Sequence, residues 1–126
     1  MKISINEILQ LKNKIFVCSI NSKYLIKLEN CKTLSLEEFE KNIDKTSGNI
    51  IVYCANWNCS ASARYSEFLK TNKNLKVYEF KGGILEWAMR NSIGEKCCQF
   101  ICSKNKIDVN NNIILNNIIN YYNDNL

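Results

Sequence analysis

Histidine is absent from this 126-residue chain, and so is proline. Without imidazole, neither a Cys/His metal site nor a Cys-His or Ser-His catalytic pair can form, so a nucleophile here must be activated in another way. With no proline and only 4 glycines, no linker-rich stretch divides the chain. The length therefore predicts one domain with a margin for a short appendage.

The chain also lacks an apolar run of signal-peptide length near its start, and it has no run long enough to span a membrane. We therefore expect a cytoplasmic protein without a membrane partner. In that reducing compartment the 7 cysteines are expected to be free, catalytic or metal-bound. The lysines behind the net charge of +5 are scattered, which favours a solvated surface over a nucleic-acid partner.

Helix and strand patterns alternate, which predicts an α/β fold with a central parallel sheet flanked by helices. Capping boxes that begin at Ser4 and Ser35 predict two helices. β-branched and aromatic residues predict a strand at 15–18. The continuous apolar run at 50–53 is typical of a central strand that is covered on both faces.

The segments after residue 53 continue the alternation. A turn-prone loop at 54–60 leads to a helix that we expect Ser60 to cap. The helix is expected to bury a stripe formed by Ala61, Tyr65, Phe68 and Leu69. A strand at 75–80 and a short helix at 84–90 follow.

The character of the sequence changes after Gly94. An apolar segment at 97–101 is followed by an asparagine-rich amphipathic pattern at 110–122. We interpret residues 1–94 as the main domain and residues 95–126 as a C-terminal helical extension that packs on the same domain.

The predicted chemistry centres on Cys54, at the carboxyl end of the central strand. Successive N–H groups of a tight loop and the partial positive charge of a helix N-terminus together form a nest for an anion. Such a field stabilises a thiolate without histidine and suits sulfane-sulfur transfer, in which the loop holds a persulfide. We therefore predict Cys54 as the nucleophile. The predicted anion-binding or persulfide-binding loop consists of Ala55, Asn56, Trp57, Asn58, Cys59 and Ser60.

These residues resemble the rhodanese family. Residues 50–54 match the strand that leads to the family's catalytic cysteine, and residues 60–63 match the start of its next helix. Its closing strand, glycine pair and tryptophan are matched by Val77-Tyr78, Gly82-Gly83 and Glu86-Trp87. The resemblance implies a rhodanese-like domain at 1–94 and a sulfurtransferase that carries persulfide sulfur on Cys54. It implies a small sulfur donor or a protein persulfide as donor, a thiol or other nucleophile, including a protein, as acceptor, and no metal or organic cofactor.

The sequence departs from the family pattern in three places. Residues 17–20 stand where many members have Asp-Val-Arg, residues 27–31 stand where His-Ile-Pro-Gly-Ala is usual, and the loop carries no arginine or lysine. Each charge-assisted contact to an anionic donor is worth about 1.5–3 kcal/mol, so we expect poor use of thiosulfate. Phosphatases of related design need an arginine six positions after the cysteine, where this chain has Ser60, so we do not expect a phosphatase.

Alternatives remain open at Cys59. It would act as a resolving cysteine if it attacked a Cys54 persulfide, released sulfide and formed a disulfide, which would make the pair a thiol redox sensor. It is otherwise an inert small residue at a crowded helix start. A further alternative is a non-catalytic module that binds a protein through the C-terminal extension.

The remaining cysteines and tryptophans are predicted to be mainly structural. We expect Cys18 and Cys31 to be buried small hydrophobes. Trp57 is expected to shape the mouth of the site, and Trp87 to lie in the core. Metal binding is not expected, because the spacing typical of zinc sites is missing from Cys97, Cys98 and Cys102.

Overall fold

Helices and strands alternate along the chain in a computed structural model that describes residues 1–94, 98–109 and 112–124. The helices are α1 (Ile5–Gln10), α2 (Leu36–Lys41), α3 (Ala61–Leu69), α4 (Gly83–Ser92) and α5 (Asn112–Asp124). The strands are β1 (Lys14–Cys18), β2 (Tyr24–Lys27), β3 (Lys32–Ser35), β4 (Gly48–Tyr53), β5 (Leu75–Phe80), β6 (Gln99–Cys102) and β7 (Asp108–Val109). A short 3₁₀ turn at Ile43–Lys45 follows α2.

The central sheet is parallel, with the strand order β3-β1-β4-β5. β4 lies between β1 and β5, and residues 50–53 in it are fully buried. This burial explains why the run has no polar alternation, because helices cover both faces of a parallel sheet. The predicted fold class, a central parallel sheet with flanking helices and a C-terminal helix, is confirmed.

Each face of the sheet carries its own apolar core. Side chains of β4 alternate between the two faces, so Ile51 and Tyr53 pack with Trp87 while Ile50 and Val52 pack on the other side. The second core is closed by α2 and α3, and the first by α1, α4 and α5. A fully buried side chain of this kind contributes about 1.5–3 kcal/mol.

The two capping boxes form as predicted, at the N-termini of α1 and α2. The hydroxyl of Ser4 accepts from the Glu7 N–H, and the Glu7 carboxylate accepts from the Ser4 N–H. Ser35 and Glu38 repeat the arrangement. These short helices therefore begin where their local sequence satisfies the first unpaired N–H groups.

The predicted cap of α3 is wrong. Ser60 precedes the helix, but its backbone is already helical, with φ −96° and ψ −4°, and its side chain caps no N–H group. A capping side chain requires an extended backbone at that position. The Ser60 hydroxyl instead accepts from Nη1 of Arg64 at 2.9 Å.

The predicted apolar stripe of α3 is also largely wrong. The buried residues are Ser62, Ser66 and Leu69, whereas Phe68 is 63% exposed. The reason lies on β5, where the carboxylate of buried Glu79 needs a donor. The Ser62 hydroxyl supplies it at 2.9 Å, so a polar contact turns the serine face inward.

The segment after Gly94 packs on the rest of the chain. β6 pairs antiparallel with β2 and β7, and α5 lies against α4 with Leu115 and Ile118 buried. The amphipathic pattern predicted from residue 110 is helical over Asn112–Asp124, and Cys97 lies outside the described residues. The division of the chain at residue 94 stays a prediction. In the described part of the chain, no helix is both long and apolar enough to cross a membrane.

Two of the cysteines that were predicted to be buried differ in their surroundings. Cys18 ends β1 and is fully buried, as predicted, and burial raises its pKa to about 11. Its thiol donates to the Ile20 carbonyl at 3.4 Å. Cys31 is only half-buried, because it closes a turn onto Leu28 at the rim of the first core.

Folding should keep the proton on Cys18 between about pH 9 and pH 11, a window in which an unfolded chain loses it. Stability should therefore fall as pH rises through this window, because the unfolded chain binds fewer protons. At about pH 9 iodoacetamide should modify Cys18 far more slowly than partly exposed Cys102, since the thiolate is the reactive form. Peptide mass spectrometry of a time course measures both rates, with the urea-unfolded chain as control. Equal rates in the folded protein would contradict the prediction.

Candidate functional site

Cys54 follows directly after β4, at the edge of the sheet where ligands usually bind in open α/β folds. The adjacent end of β1 holds this point in place. The N–H and the hydroxyl of Ser19 both donate to the Tyr53 carbonyl at 2.9 Å. Ser19 lies in the segment 17–20, which replaces the Asp-Val-Arg of the resembled family. Its two hydrogen bonds fix the backbone immediately before Cys54.

The N-terminus of α4 meets the same backbone from the other side. The N–H of Ile84 donates to the Cys54 carbonyl at 3.0 Å, and that of Leu85 donates to the Ala55 carbonyl at 2.9 Å. The first N–H groups of a helix have no partner within it, so the loop carbonyls satisfy them. Since N–H and C=O point in opposite directions across a trans peptide, the N–H groups of Ala55 and Asn56 face away from α4.

This close approach requires glycine at position 83. Gly83 has φ +59°, and a Cβ built on it would lie 2.2 Å from the Cys54 carbonyl oxygen. Both the left-handed backbone and the lack of space exclude larger residues. The second glycine of the pair is therefore explained by its contact with the peptide of Cys54.

A disulfide links Cys54 to Cys59 across the loop. Their Cα atoms are 6.2 Å apart, within the range of about 4.4–6.8 Å that disulfides need. Cys54 is fully buried, whereas Cys59 is partly exposed. The separation meets the requirement for a resolving cysteine, and that role stays a prediction.

The carboxamide of Asn56, which is only 3% exposed, organises the loop. The side-chain Oδ1 accepts from the Asn58 N–H at 3.1 Å, and the backbone carbonyl of Asn56 accepts from the Cys59 N–H at 3.2 Å. Two of the predicted anion-binding N–H groups are thus occupied in this state. Those of Ala55, Asn56 and Trp57 have no hydrogen-bond partner among the described residues.

A cavity of about 390 Å³ opens beside the loop. Besides loop residues that include Cys59, its walls come from Ile20 and Asn21 after β1 and from Tyr121 and Tyr122 of α5. Cys54 does not line it, and no charged side chain of the described residues does. An anion that enters would meet amides, aromatic rings, the aliphatic side chains of Ile20 and Ala55, and the sulfur of Cys59.

Sequence reasoning missed the contact between α5 and the loop. The Asn56 Nδ2 donates to the Tyr122 carbonyl at 2.8 Å, and the Tyr122 hydroxyl lies 3.0 Å from the Ser22 hydroxyl. The amphipathic pattern of α5 showed that one face is buried, but such a pattern does not name the surface beneath it.

Other predicted site residues lie elsewhere. Trp57 is 38% exposed and does not line this cavity, and its place at the mouth of the site stays a prediction. Trp87 is fully buried, as predicted, and donates to the Gln99 carbonyl at 2.8 Å. Cys98 is buried and Cys102 is partly exposed. Within the described residues, no group of three or more cysteine or acidic side chains is placed to hold a metal ion.

A family model described as Rhodanese-like domain matches residues 11–90 of this chain. The matched span contains Cys54, Cys59 and the glycine pair, and it ends before α5. No curated protein and no solved structure gives a match.

Gly83→Ala should lower the free energy of unfolding more than Gly94→Ala does. Both glycines have positive φ, at +59° and +96°, but nothing lies within 4 Å of a Cβ at Gly94. The difference isolates the clash with Cys54, and overpacking typically costs about 1–3 kcal/mol. Urea unfolding of both variants measures it. Equal losses would show that the contact of α4 with the loop tolerates a side chain.

Asn56→Ala should leave the Asn58 N–H and the Tyr122 carbonyl without their partner. An unsatisfied buried polar group costs about 1–3 kcal/mol, and the end of α5 should exchange its amide protons faster. Asn58→Ala is the matched control, because its side chain is exposed and only its backbone N–H is used. Urea unfolding and hydrogen exchange give the readouts. The prediction fails if the two variants behave alike.

Proposed function

This chain belongs to the rhodanese-like domain family, and from that premise we propose that it is a sulfurtransferase that carries sulfane sulfur as a persulfide on Cys54. The observation that carries the proposal is the position of Cys54 in the loop between β4 and α3. There the N–H groups of Ala55, Asn56 and Trp57 have no other partner within the described residues. They are available to stabilise a thiolate or a persulfide anion.

The transfer needs no external oxidant or reductant once both cysteines are reduced. The Cys54 thiolate attacks the outer sulfur of a persulfide R–S–SH, the donor's S–S bond breaks, and RS⁻ leaves. The product is Cys54–S–SH, whose deprotonated form the loop N–H groups hold. An acceptor thiolate then attacks the outer sulfur and regenerates the Cys54 thiolate.

The walls of the cavity favour a particular class of donor. Thiosulfate is a dianion, and no cationic side chain among the described lining residues would contact it. Each missing charge-assisted hydrogen bond is worth about 1.5–3 kcal/mol. An organic or protein persulfide, with less charge to satisfy, is therefore the donor we propose, with a thiol or other nucleophile as acceptor.

The disulfide favours a second candidate, a thiol redox sensor. In that function the Cys59 thiol attacks the inner sulfur of Cys54–S–SH, the persulfide bond breaks, and H₂S leaves. The two cysteines end as the disulfide, so the sulfane sulfur itself is the oxidant. Simple transfer does not need Cys59, whereas the sensor does.

In reduced protein, Cys54→Ser should abolish loading of one sulfur atom from an organic persulfide, because the other loop cysteine, Cys59, has its own N–H bonded to the Asn56 backbone carbonyl. Cys59→Ser should load fully and lose its sulfur more slowly, since the internal attack is removed. Intact-protein and peptide mass spectrometry after brief exposure and alkylation measure both.

Cys102→Ser is the control for general loss of thiols, because Cys102 lies on β6 outside the loop and should not affect loading. Thiosulfate should load the wild-type protein much more slowly than the organic persulfide. Undiminished loading in Cys54→Ser would rule out the proposed transfer. A Cys54–Cys59 disulfide formed without any trapped persulfide would favour the sensor.

A further inference from the structure

The two halves of the Cys54–Cys59 disulfide differ in their surroundings. Cys54 has no exposed surface and does not line the cavity, whereas Cys59 is partly exposed and does. We infer that a thiol reductant attacks the sulfur of Cys59 through this cavity and that Cys54 leaves as the thiolate. The inference relies on the proposed function only for the later use of that thiolate.

Access decides which sulfur a thiolate attacks. The Cys54 peptide is held from both sides, by Ile84 of α4 and, through the preceding carbonyl, by Ser19. Gly83 lies so close that even one added carbon atom would collide with it. In this oxidised state Cys54 has no exposed surface, whereas a reductant reaches Cys59 through open space of about 390 Å³.

The loop also favours Cys54 as the leaving group. The better stabilised thiolate leaves faster in thiol–disulfide exchange. The N–H groups of Ala55 and Asn56 point away from α4, because their carbonyl partners across the peptides point toward it. Having no partner among the described residues, they are available to the departing sulfur.

The exchange balances with two thiols. RS⁻ attacks the Cys59 sulfur, the Cys54–Cys59 bond breaks, and Cys59–S–S–R forms as Cys54 leaves with the electron pair. A second thiolate attacks the R sulfur, which releases the Cys59 thiolate and R–S–S–R. None of the described residues that line the cavity is charged, so the cavity does not select for a charged reductant. A small thiol and a protein dithiol share this chemistry.

The test uses the oxidised 126-residue chain with its reactive free thiols first blocked by N-ethylmaleimide. The protein is exposed briefly to 2-mercaptoethanol and quenched with excess iodoacetamide. Fragmentation of the peptide that contains both cysteines then locates the two labels. We expect the mercaptoethanol adduct on Cys59 and carbamidomethyl on Cys54, in roughly tenfold excess over the reverse pattern. A majority of adduct on Cys54, or no disulfide in oxidised protein, would overturn the inference.

A second measurement tests the route of approach. Asn21→Trp narrows the cavity beside Cys59 and should slow reduction several-fold. Asn117→Trp is the matched control, since Asn117 lines only the neighbouring cavity, against Tyr24. Equal reduction rates in the two variants would exclude this cavity as the route.

Two further experiments are needed. One distinguishes a small-thiol reductant from a protein reductant, and the other distinguishes failure of this inference from failure of the proposed function. Glutathione and a thioredoxin-type dithiol protein are compared, and the faster one identifies the source, with the first adduct expected on Cys59 in both. The reduced wild-type protein is tested for sulfur loading in parallel. If the reduced protein does not load sulfur while the adduct forms on Cys59, the proposed function is excluded and this inference still holds. If Cys54 loads sulfur and the adduct also forms on Cys54, only this inference is excluded.

Discussion

The close approach of α4 to the peptide of Cys54 is the constraint on which the rest of the site depends. Two N–H groups of the helix donate to the carbonyls of Cys54 and Ala55, and Gly83 allows this close approach because it has no side chain. Because a trans peptide points its N–H opposite to its C=O, the same contact directs the N–H groups of Ala55 and Asn56 away from α4. A packing contact on one side of the loop therefore leaves, on the other side, the N–H groups that the proposed persulfide would use.

Signals that act over a few residues were sufficient for much of this fold. The capping boxes at Ser4 and Ser35 and the apolar run at 50–53 specify their elements locally, so their predictions are confirmed. The place of Cys54 follows from the same run, since a residue after a central parallel strand stands at the ligand-binding edge. The pairing of β2 with β6 was not predicted, because it joins residues that are far apart in the sequence.

Predictions failed where a polar contact between distant residues outweighed an apolar pattern. On α3 the helical periodicity favoured Phe68 as a buried residue, but the carboxylate of Glu79 draws Ser62 and the serine face inward. At the site, the sequence named Asn56 only as a member of the loop. Its bond to Tyr122 joins positions 66 residues apart and leaves no trace in the local pattern. Such contacts become visible only when the tertiary structure brings the two groups together.

The chain has no histidine that could activate Cys54. A cysteine activated by imidazole depends on the protonation of a neighbour, whereas the backbone N–H groups that we propose as stabilising groups do not titrate. Under this proposal, control comes from geometry. Asn56 lies within the ring that the disulfide closes, and its side chain holds α5, which forms a wall of the cavity. The disulfide, the loop and α5 are therefore linked through Asn56, and under the proposed function reduction is the step that frees Cys54 to act.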